Sequence, residues 1–159
     1  MTKKIKVAAI QLTANEDKER NIDLALEYVN KAIEKGAELI VLPEMFNCYS
    51  FPEVMVENAE PIPGYTTNII SKKARENGVY IICGIYEKAG NNRAFNTSVA
   101  IDPDGKVIDT YSKSHLFDID VPGTITYLES ANVAPGNKIV NFMVNDFICG
   151  MTVCYDLRF

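Results

Sequence analysis

The sequence contains one histidine, His115, among 159 residues, and this scarcity restricts the hydrolytic machinery that it can build. Serine–histidine–aspartate and cysteine–histidine sites use a histidine as general base, so any nucleophile must rely on His115 or on a different base. The G-x-S-x-G, G-x-x-x-x-G-K-[ST] and G-x-G-x-x-G patterns are also absent. Their absence argues against an α/β-hydrolase, a P-loop protein and a dinucleotide-binding domain.

Long apolar runs and blocks of basic residues are missing as well. No run is long enough to span a bilayer. The start, MTKKIKVAAIQLTANE, turns polar without a cleavage site, which favours a first strand over a signal peptide. The net charge is −5. Nucleic acid and anionic membranes are therefore not expected as partners.

Cysteine is sparse, with four widely spaced residues at Cys48, Cys83, Cys149 and Cys154. A disulfide framework is not expected from such spacing in a chain of this length, and a reduced, cytoplasmic setting fits better. The spacings match no common zinc pattern, and the single histidine further disfavours a metal site. We therefore expect no metal.

The chain begins with a strand–helix–strand unit. Residues 5–12 are predicted as a buried strand, residues 17–36 have apolar positions at helical spacing, and residues 38–42 form a second apolar run. A crossover of this length predicts that the two strands are parallel. Both strands are apolar on both faces, as expected for a sheet that is covered on two sides.

Further elements complete a single α/β domain over residues 1–159. The sequence predicts a helix at 66–77 with Thr66 as N-cap, strands at 79–88, 94–102 and 106–113, a long functional loop at 112–137, and a closing hairpin of 139–144 with 147–154. The predicted fold is a mixed sheet with helices on one face. Because only two helices are predicted for about seven strands, something else must cover the other face, such as a second sheet outside this chain.

Three residues that can carry chemistry each follow an apolar strand. Glu44 ends ELIVLPE, Lys113 lies in TYSKSHLFD, and Cys154 follows FICGMTV. Singly, they have structural explanations, as a turn carboxylate, a solvated lysine and a small buried hydrophobe. If the strands are neighbours, the three groups converge at one edge of the sheet. The carboxylate can then take the thiol proton, the thiolate can attack a carbonyl or nitrile carbon, and the ammonium can stabilise the oxyanion.

Three motifs, in this order, resemble the nitrilase superfamily of carbon–nitrogen hydrolases: IQLTANEDKERN with LIVLPEMF, then TYSKSHLFDIDVPG, then GMTVCYDLRF. The resemblance covers the whole chain. It implies a catalytic triad of Glu44 as general base, Lys113 as stabiliser of the tetrahedral intermediate, and Cys154 as the thioester-forming nucleophile. It also implies that the backbone N–H of Tyr155 belongs to the oxyanion hole, and that Glu129, in ESANVAPGN, supports the lysine or the leaving group.

Within that superfamily, KSHLFDIDVPGTITYLES is most similar to the Nit-type omega-amidase group. This resemblance implies hydrolysis of the terminal amide of small dicarboxylic acid monoamides, such as 2-oxoglutaramate, with release of ammonia and without a cofactor. Arg158 is the candidate for binding the substrate carboxylate, because the resemblance to carbamoylases implies such a role for an arginine just after the nucleophile, and an arginine can hold a carboxylate with two parallel hydrogen bonds. The alternative is a structural arginine that pairs with Asp156 or with a missing segment. A nitrilase, an N-carbamoyl amidase or an aliphatic amidase on the same scaffold is the alternative function.

The resemblance also implies a larger fold than the predicted one. Family members form a four-layer αββα sandwich, in which two sheets pack face to face between outer helices, and they continue past the nucleophile into a helix and further strands. The chain is therefore expected to be the N-terminal part of such a domain, with the second half missing. It is either a fragment of a longer enzyme, which by resemblance would be a homo-oligomer, or a non-catalytic half that needs a partner chain.

Overall fold

The computed structural model describes residues 3–159, which form three α-helices, nine β-strands and two short 3₁₀-helices. In chain order the elements are β1 (Val7–Ala9), α1 (Lys18–Glu34), β2 (Leu39–Val41), α2 (Pro52–Glu57), α3 (Tyr65–Asn77), β3 (Tyr80–Gly90), β4 (Arg93–Ile101), β5 (Val107–Ser112), β6 (Asp118–Val121), β7 (Ile125–Leu128), a 3₁₀-helix (Glu129–Ala131), β8 (Asn141–Val144), β9 (Phe147–Gly150) and a second 3₁₀-helix (Cys154–Arg158). None of the helices in this part of the chain is long and apolar enough to cross a membrane.

Five strands form one mixed sheet in the order β1-β2-β3-β4-β5. The first three are parallel, and α1 makes the crossover between β1 and β2, as predicted. The pairs β3–β4 and β4–β5 are antiparallel, so β5 runs in the same direction as β2. The mixed sheet is therefore confirmed, and the carboxyl ends of β2 and β5 lie at the same edge.

The two faces of this sheet are covered differently. On one face α1 and α3 pack against strand residues such as Ile40 and Ile81, in a core that is completely buried at these positions. On the other face the hairpin β8–β9, with Phe142, packs against the alternate strand residues, including Leu39 and Ala100. The predicted outer helices and closing hairpin are thus present. The hairpin is a separate two-stranded sheet, which lies as a further layer on the five strands.

Helix α3 begins at Tyr65, and its N-cap is Gly64 instead of the predicted Thr66. The Gly64 N–H donates to the Thr67 hydroxyl at 2.7 Å, and the Thr66 N–H in the first turn donates to Glu60 Oε2 at 2.7 Å. The Thr66 hydroxyl instead donates to the buried Glu60 at 2.6 Å. The predicted cap is wrong because a tertiary partner, which a local pattern cannot show, takes the threonine side chain.

Two parts of the chain contain short elements that the sequence pattern did not predict. Helix α2 lies within residues 45–64, and the hairpin β6–β7 lies within the predicted loop 112–137. Most residues of this hairpin are exposed, so its strands lack the alternation of a half-buried strand. The last strand is shorter than predicted: β9 ends at Gly150, and Cys154 opens a 3₁₀-helix.

Candidate active site

Glu44 lies just beyond β2, where the backbone passes close to Gly84 of β3. A Cβ atom at position 84 would lie 2.8 Å from the Glu44 Cα and 2.9 Å from the Pro43 carbonyl oxygen, so only glycine leaves room for this approach. The Phe46 N–H donates to the Gly84 carbonyl at 3.1 Å. This contact fixes Glu44 at the sheet edge, with its side chain 23% exposed.

Lys113 lies one residue beyond β5, at the same edge of the sheet as Glu44. Its N–H donates to the Asn96 carbonyl, and its own carbonyl accepts from the Gly136 N–H, both at 2.8 Å. A Cβ atom at position 136 would lie 2.0 Å from the Ser112 carbonyl oxygen, so the returning loop also needs glycine here. The lysine backbone is thereby held on both sides, and the side chain points into the protein, 3% exposed.

Cys154 opens the second 3₁₀-helix and adopts an unusual backbone conformation. Its φ of +51° lies in the left-handed region. A residue other than glycine stays there only when its surroundings hold it, at a cost of about 1–3 kcal/mol. Unlike a packed core cysteine, Cys154 is exposed. Tyr155 follows in the first turn, where backbone N–H groups have no helical partner and can bind an anion.

The Lys113 ammonium lies between two carboxylates. Its Nζ is 3.4 Å from Glu44 Oε1, and it donates to Glu129 Oε2 at 2.9 Å and to Glu129 Oε1 at 3.2 Å. Burial opposes the charge, but the hydrogen bond to Glu129 and the negative charge of Glu44 outweigh it and raise the pKa of Lys113. Lys113 is therefore a cation at neutral pH. Within residues 3–159, no group of three or more His, Cys, Asp or Glu side chains is arranged to hold a metal ion.

Asn96 connects the same two carboxylates, and the sequence did not predict it. Its Nδ2 donates to Glu44 Oε1 at 2.6 Å and to Glu129 Oε1 at 3.3 Å. The side chain is completely buried, and its Oδ1 has no hydrogen-bond partner among the described residues. The signal in the sequence was a run of three polar residues, 96–98, between apolar residues of strand β4 on either side.

The Cys154 thiol lies next to this cluster, and its pKa is raised above the ordinary value. Desolvation of the partly buried sulfur is the main cause, the negative charge of Glu44 adds to the shift, and the Lys113 ammonium opposes it. The thiol is therefore protonated at neutral pH and needs a base to become nucleophilic. By contrast, Cys83 is fully buried, and burial raises its pKa to about 12.

A cleft of about 830 Å³ opens at these groups. Glu44, Lys113, Glu129 and Cys154 all line it. Most of the remaining lining is apolar or aromatic and includes Tyr49, Phe51, Met55, Phe117, Ile125 and Tyr127. The predicted Arg158 does not line the cleft, and its side chain is exposed in the last turn of the 3₁₀-helix. The structure thus brings four of the predicted side chains together and leaves the arginine outside.

Asp156, in the same 3₁₀-helix, is a buried carboxylate whose contacts the sequence also did not predict. Its Oδ2 accepts from the Val153 N–H at 3.0 Å and from the Tyr111 hydroxyl at 2.8 Å. Its Oδ1 accepts from the His115 N–H at 2.9 Å and lies 2.8 Å from His115 Nδ1. The alternative of a structural pair between Asp156 and Arg158 is therefore wrong, because the carboxylate pairs with His115.

Comparison with known proteins gives the family. Residues 6–159 match the family model of the carbon–nitrogen hydrolases. The chain belongs to the carbon–nitrogen hydrolase family. This carbon–nitrogen hydrolase chain is 37% identical over 154 residues to the omega-amidase NIT2 of Homo sapiens, which is 97% of this chain and 56% of the human protein. It is 35% identical over 156 residues to the omega-amidase NIT2-B of Xenopus laevis, with 98% and 56% covered.

Solved structures of similar proteins have the same fold. The NitFhit protein of C. elegans superposes with a TM-score of 0.87 at 27% identity, over 96% of this chain and 38% of that protein. An amidase from Nesterenkonia sp. superposes with a TM-score of 0.82 at 23% identity, over 98% of this chain and 57% of the amidase. The predicted nitrilase-type α/β fold is therefore confirmed. The chain spans 56% of the length of the curated relatives it matches.

Proposed function

We propose that this chain supplies the nucleophile, base and cation of a thiol amidase, which hydrolyses the C–N bond of a small amide and releases ammonia. The observation that carries the proposal is the convergence of Glu44, Lys113 and Cys154 on one cleft from three distant segments. A purely structural explanation does not account for a lysine that is 3% exposed between two carboxylates, or for an exposed cysteine in a strained conformation.

The proposed reaction has two halves that both use Glu44. First, Glu44 takes the Cys154 thiol proton, and the sulfur attacks the amide carbonyl carbon. The C–N bond of the tetrahedral intermediate then breaks, and the nitrogen takes a proton from Glu44 and leaves as ammonia. Second, a water molecule gives a proton to Glu44 and attacks the thioester, which releases a carboxylic acid and restores the thiol. The raised pKa of Cys154 makes a base necessary for the first half.

Lys113 and the Tyr155 N–H are the proposed stabilisers of the oxyanion. A cation fixed beside a developing negative charge lowers the barrier without reorganisation during the reaction. Glu129 keeps Lys113 charged and in place through two contacts. The Phe117 N–H also donates to Glu129 at 2.6 Å, so we assign this carboxylate to positioning and not to proton transfer.

We propose short omega-amides of dicarboxylic acids as the substrate class, because relatives at 35% and 37% identity are named omega-amidases. Such a substrate has a free carboxylate that needs hydrogen-bond donors. Arg158 is not on the cleft wall, whereas the hydroxyl-bearing Tyr49, Ser50 and Tyr127 line it. Hydroxyl groups can donate to a carboxylate, so we propose these residues for recognition in place of the arginine.

A neutral aliphatic amide is the second candidate substrate, and the apolar lining of the cleft favours it. Phe51, Met55 and Ile125 offer contacts to an alkyl chain. Among the described residues, Lys113 is the only cation in the lining, and two carboxylates already hold it. An alkyl chain carries no charge, so its burial in this cleft would require no further cation.

The test is ammonia release by the full-length gene product that contains this chain. The proposal predicts release from succinamate and 2-oxoglutaramate, and none above background for Cys154→Ala. Cys149→Ala is the matched control at a half-buried cysteine of β9 and should keep full activity. Amide hydrolysis by Cys154→Ala would rule out the proposed mechanism.

A substrate panel separates the remaining alternatives. Succinamate and butyramide differ mainly in the terminal carboxylate, so their relative kcat/KM decides between an omega-amidase and an aliphatic amidase. Butyronitrile and an N-carbamoyl amino acid test the nitrilase and the N-carbamoyl amidase. Faster turnover of either than of the amides would replace the proposed substrate class.

A further inference from the structure

A buried carboxylate beside the nucleophile has no role in the proposed reaction. Asp156 is 6% exposed and lies in the 3₁₀-helix that Cys154 opens, yet it does not line the cleft. A buried carboxylate is costly unless hydrogen bonds satisfy it. Burial opposes its ionisation, but hydrogen bonds from His115, Val153 and Tyr111 lower the pKa of Asp156, so it is ionised at neutral pH.

The four donors to this carboxylate come from two of the three segments that carry the proposed catalytic groups, those of Lys113 and Cys154. Val153, which donates its N–H at 3.0 Å, directly precedes the nucleophile. Tyr111, which donates its hydroxyl at 2.8 Å, and His115, which contacts Oδ1 with its N–H at 2.9 Å and its Nδ1 at 2.8 Å, lie on either side of Lys113. Because a carboxylate only accepts, His115 Nδ1 must carry the proton in this contact.

We propose that Asp156 is a positioning residue that holds the Cys154 turn against the Lys113 segment. The inference rests on the proposed amidase function, in which the position of the sulfur decides the rate. The Cys154 φ of +51° would relax if the turn were free. Asp156 prevents this by binding Val153 and, on the other side, the residues that flank Lys113.

The first experiment compares Asp156→Asn with wild type in the full-length gene product. Asparagine keeps the shape of the side chain but replaces one acceptor oxygen with an NH₂ group, which only donates. This group would then face the N–H and O–H donors that bind the carboxylate in wild type. We expect kcat to fall on the order of 100-fold with KM nearly unchanged, since a shift of the nucleophile of about 1 Å has an effect of this size. Asp104→Asn makes the same change at an exposed turn residue and should leave kcat unchanged. A kcat for Asp156→Asn near that of wild type, or a loss confined to KM, would overturn the inference.

Tyr111→Phe is a milder variant that decides the question if Asp156→Asn does not fold. It removes one donor to Asp156 and keeps the ring, which is 6% exposed. We expect kcat to fall on the order of tenfold with a cooperative melt retained, because the lost hydrogen bond is to a charged group. An unchanged kcat in Tyr111→Phe would also overturn the inference.

The titration of the Cys154 thiol tests the turn without any amide. The rate of alkylation by iodoacetamide is followed against pH in wild type and in Asp156→Asn. If the turn is released, the thiol leaves Glu44, and its pKa moves down towards the ordinary value. An unchanged titration contradicts the positioning role. A shifted titration in a protein whose wild type hydrolyses no amide would instead support the positioning role and refute the proposed function.

Discussion

Lys113 Nζ lies 2.9 Å from Glu129 Oε2, and the two side chains are only 3% and 5% exposed. The Phe117 N–H and the Asn96 amide also donate to Glu129, so the carboxylate is fixed from several directions. In such a buried ion pair, each side chain keeps the other one charged. If one of the two is removed, the other remains as a buried charge with less compensation. The position and charge of Lys113 therefore depend on Glu129.

Glu129→Gln should lower the free energy of unfolding by about 1.5–3 kcal/mol, because a charge-assisted hydrogen bond to Lys113 is lost in a buried site. Urea unfolding of the full-length gene product measures this change. Glu27→Gln removes the exposed pair with Lys31 in α1 and should have a much smaller effect. Similar losses in the two variants would show that burial does not strengthen the Lys113–Glu129 pair.

Glu44→Gln should slow catalysis and accelerate alkylation of Cys154. Hydrolysis should fall by about 10²–10⁴-fold, the usual contribution of a general base. Alkylation by iodoacetamide at about pH 8 should become faster, because the Glu44 charge helps to raise the pKa of Cys154 and its removal increases the thiolate fraction. Glu57→Gln, at the exposed end of α2, is the control and should change neither rate. Unchanged hydrolysis in Glu44→Gln would require another base.

Gly84→Ala should displace Glu44, since the added Cβ would lie 2.8 Å from its Cα. We expect a loss of stability of about 1–3 kcal/mol from overpacking, together with a lower kcat. Gly150→Ala is the matched control, because a Cβ there meets no atom within 4 Å and the residue has no positive φ. Wild-type stability and kcat in Gly84→Ala would show that the close approach of the two backbones is not required.

Buried Glu60 should make the folded protein sensitive to acid. Burial opposes its ionisation, but hydrogen bonds from Lys18 and Thr66 outweigh burial and lower the pKa of Glu60 below its ordinary value of 4.5. Just below that pH the folded protein therefore binds fewer protons than the unfolded chain. The stabilisation by the ionised Glu60 is complete above about pH 4.5 and is lost as the pH falls through the lowered pKa.

Unfolding free energies of wild type and Glu60→Gln, measured from about pH 6 to about pH 3, test this linkage. The difference between the two proteins should be largest and constant above about pH 4.5 and should shrink below it. Glu53→Gln, at an exposed position of α2, should show no such trend. A difference that grows towards acid pH is incompatible with a lowered pKa for Glu60.

The sequence predicted those features that depend on neighbours along the chain. Glu44 and Lys113 were found because each follows a short apolar strand, and the parallel β1–β2 pair was found from the length of its crossover. Asn96 and Asp156 were missed because their partners lie far away in sequence: Asn96 contacts Glu44 across 52 residues, and Asp156 contacts Tyr111 across 45 residues. Local periodicity carries no information about such contacts.

Arg158, by contrast, was predicted to lie in the site but is not part of the cleft wall. It was the candidate because the resemblance implies a carboxylate-binding arginine just after the nucleophile, but the 3₁₀-helix Cys154–Arg158 turns its side chain to the surface. The same helix directs the nearby Asp156 inwards. Which residue of a tight turn faces the site depends on the turn geometry, and the apolar pattern before the turn did not predict a 3₁₀-helix.

The central claim is that Cys154 carries the acyl group during turnover. The most direct measurement is mass analysis of the full-length gene product, acid-quenched during succinamate hydrolysis and cleaved into peptides. We predict that the peptide containing Cys154 gains the mass of the substrate minus ammonia, and that the gain disappears when the substrate is exhausted. Steady ammonia release with no acyl group on that peptide, or with the acyl group on a different residue, would contradict the claim.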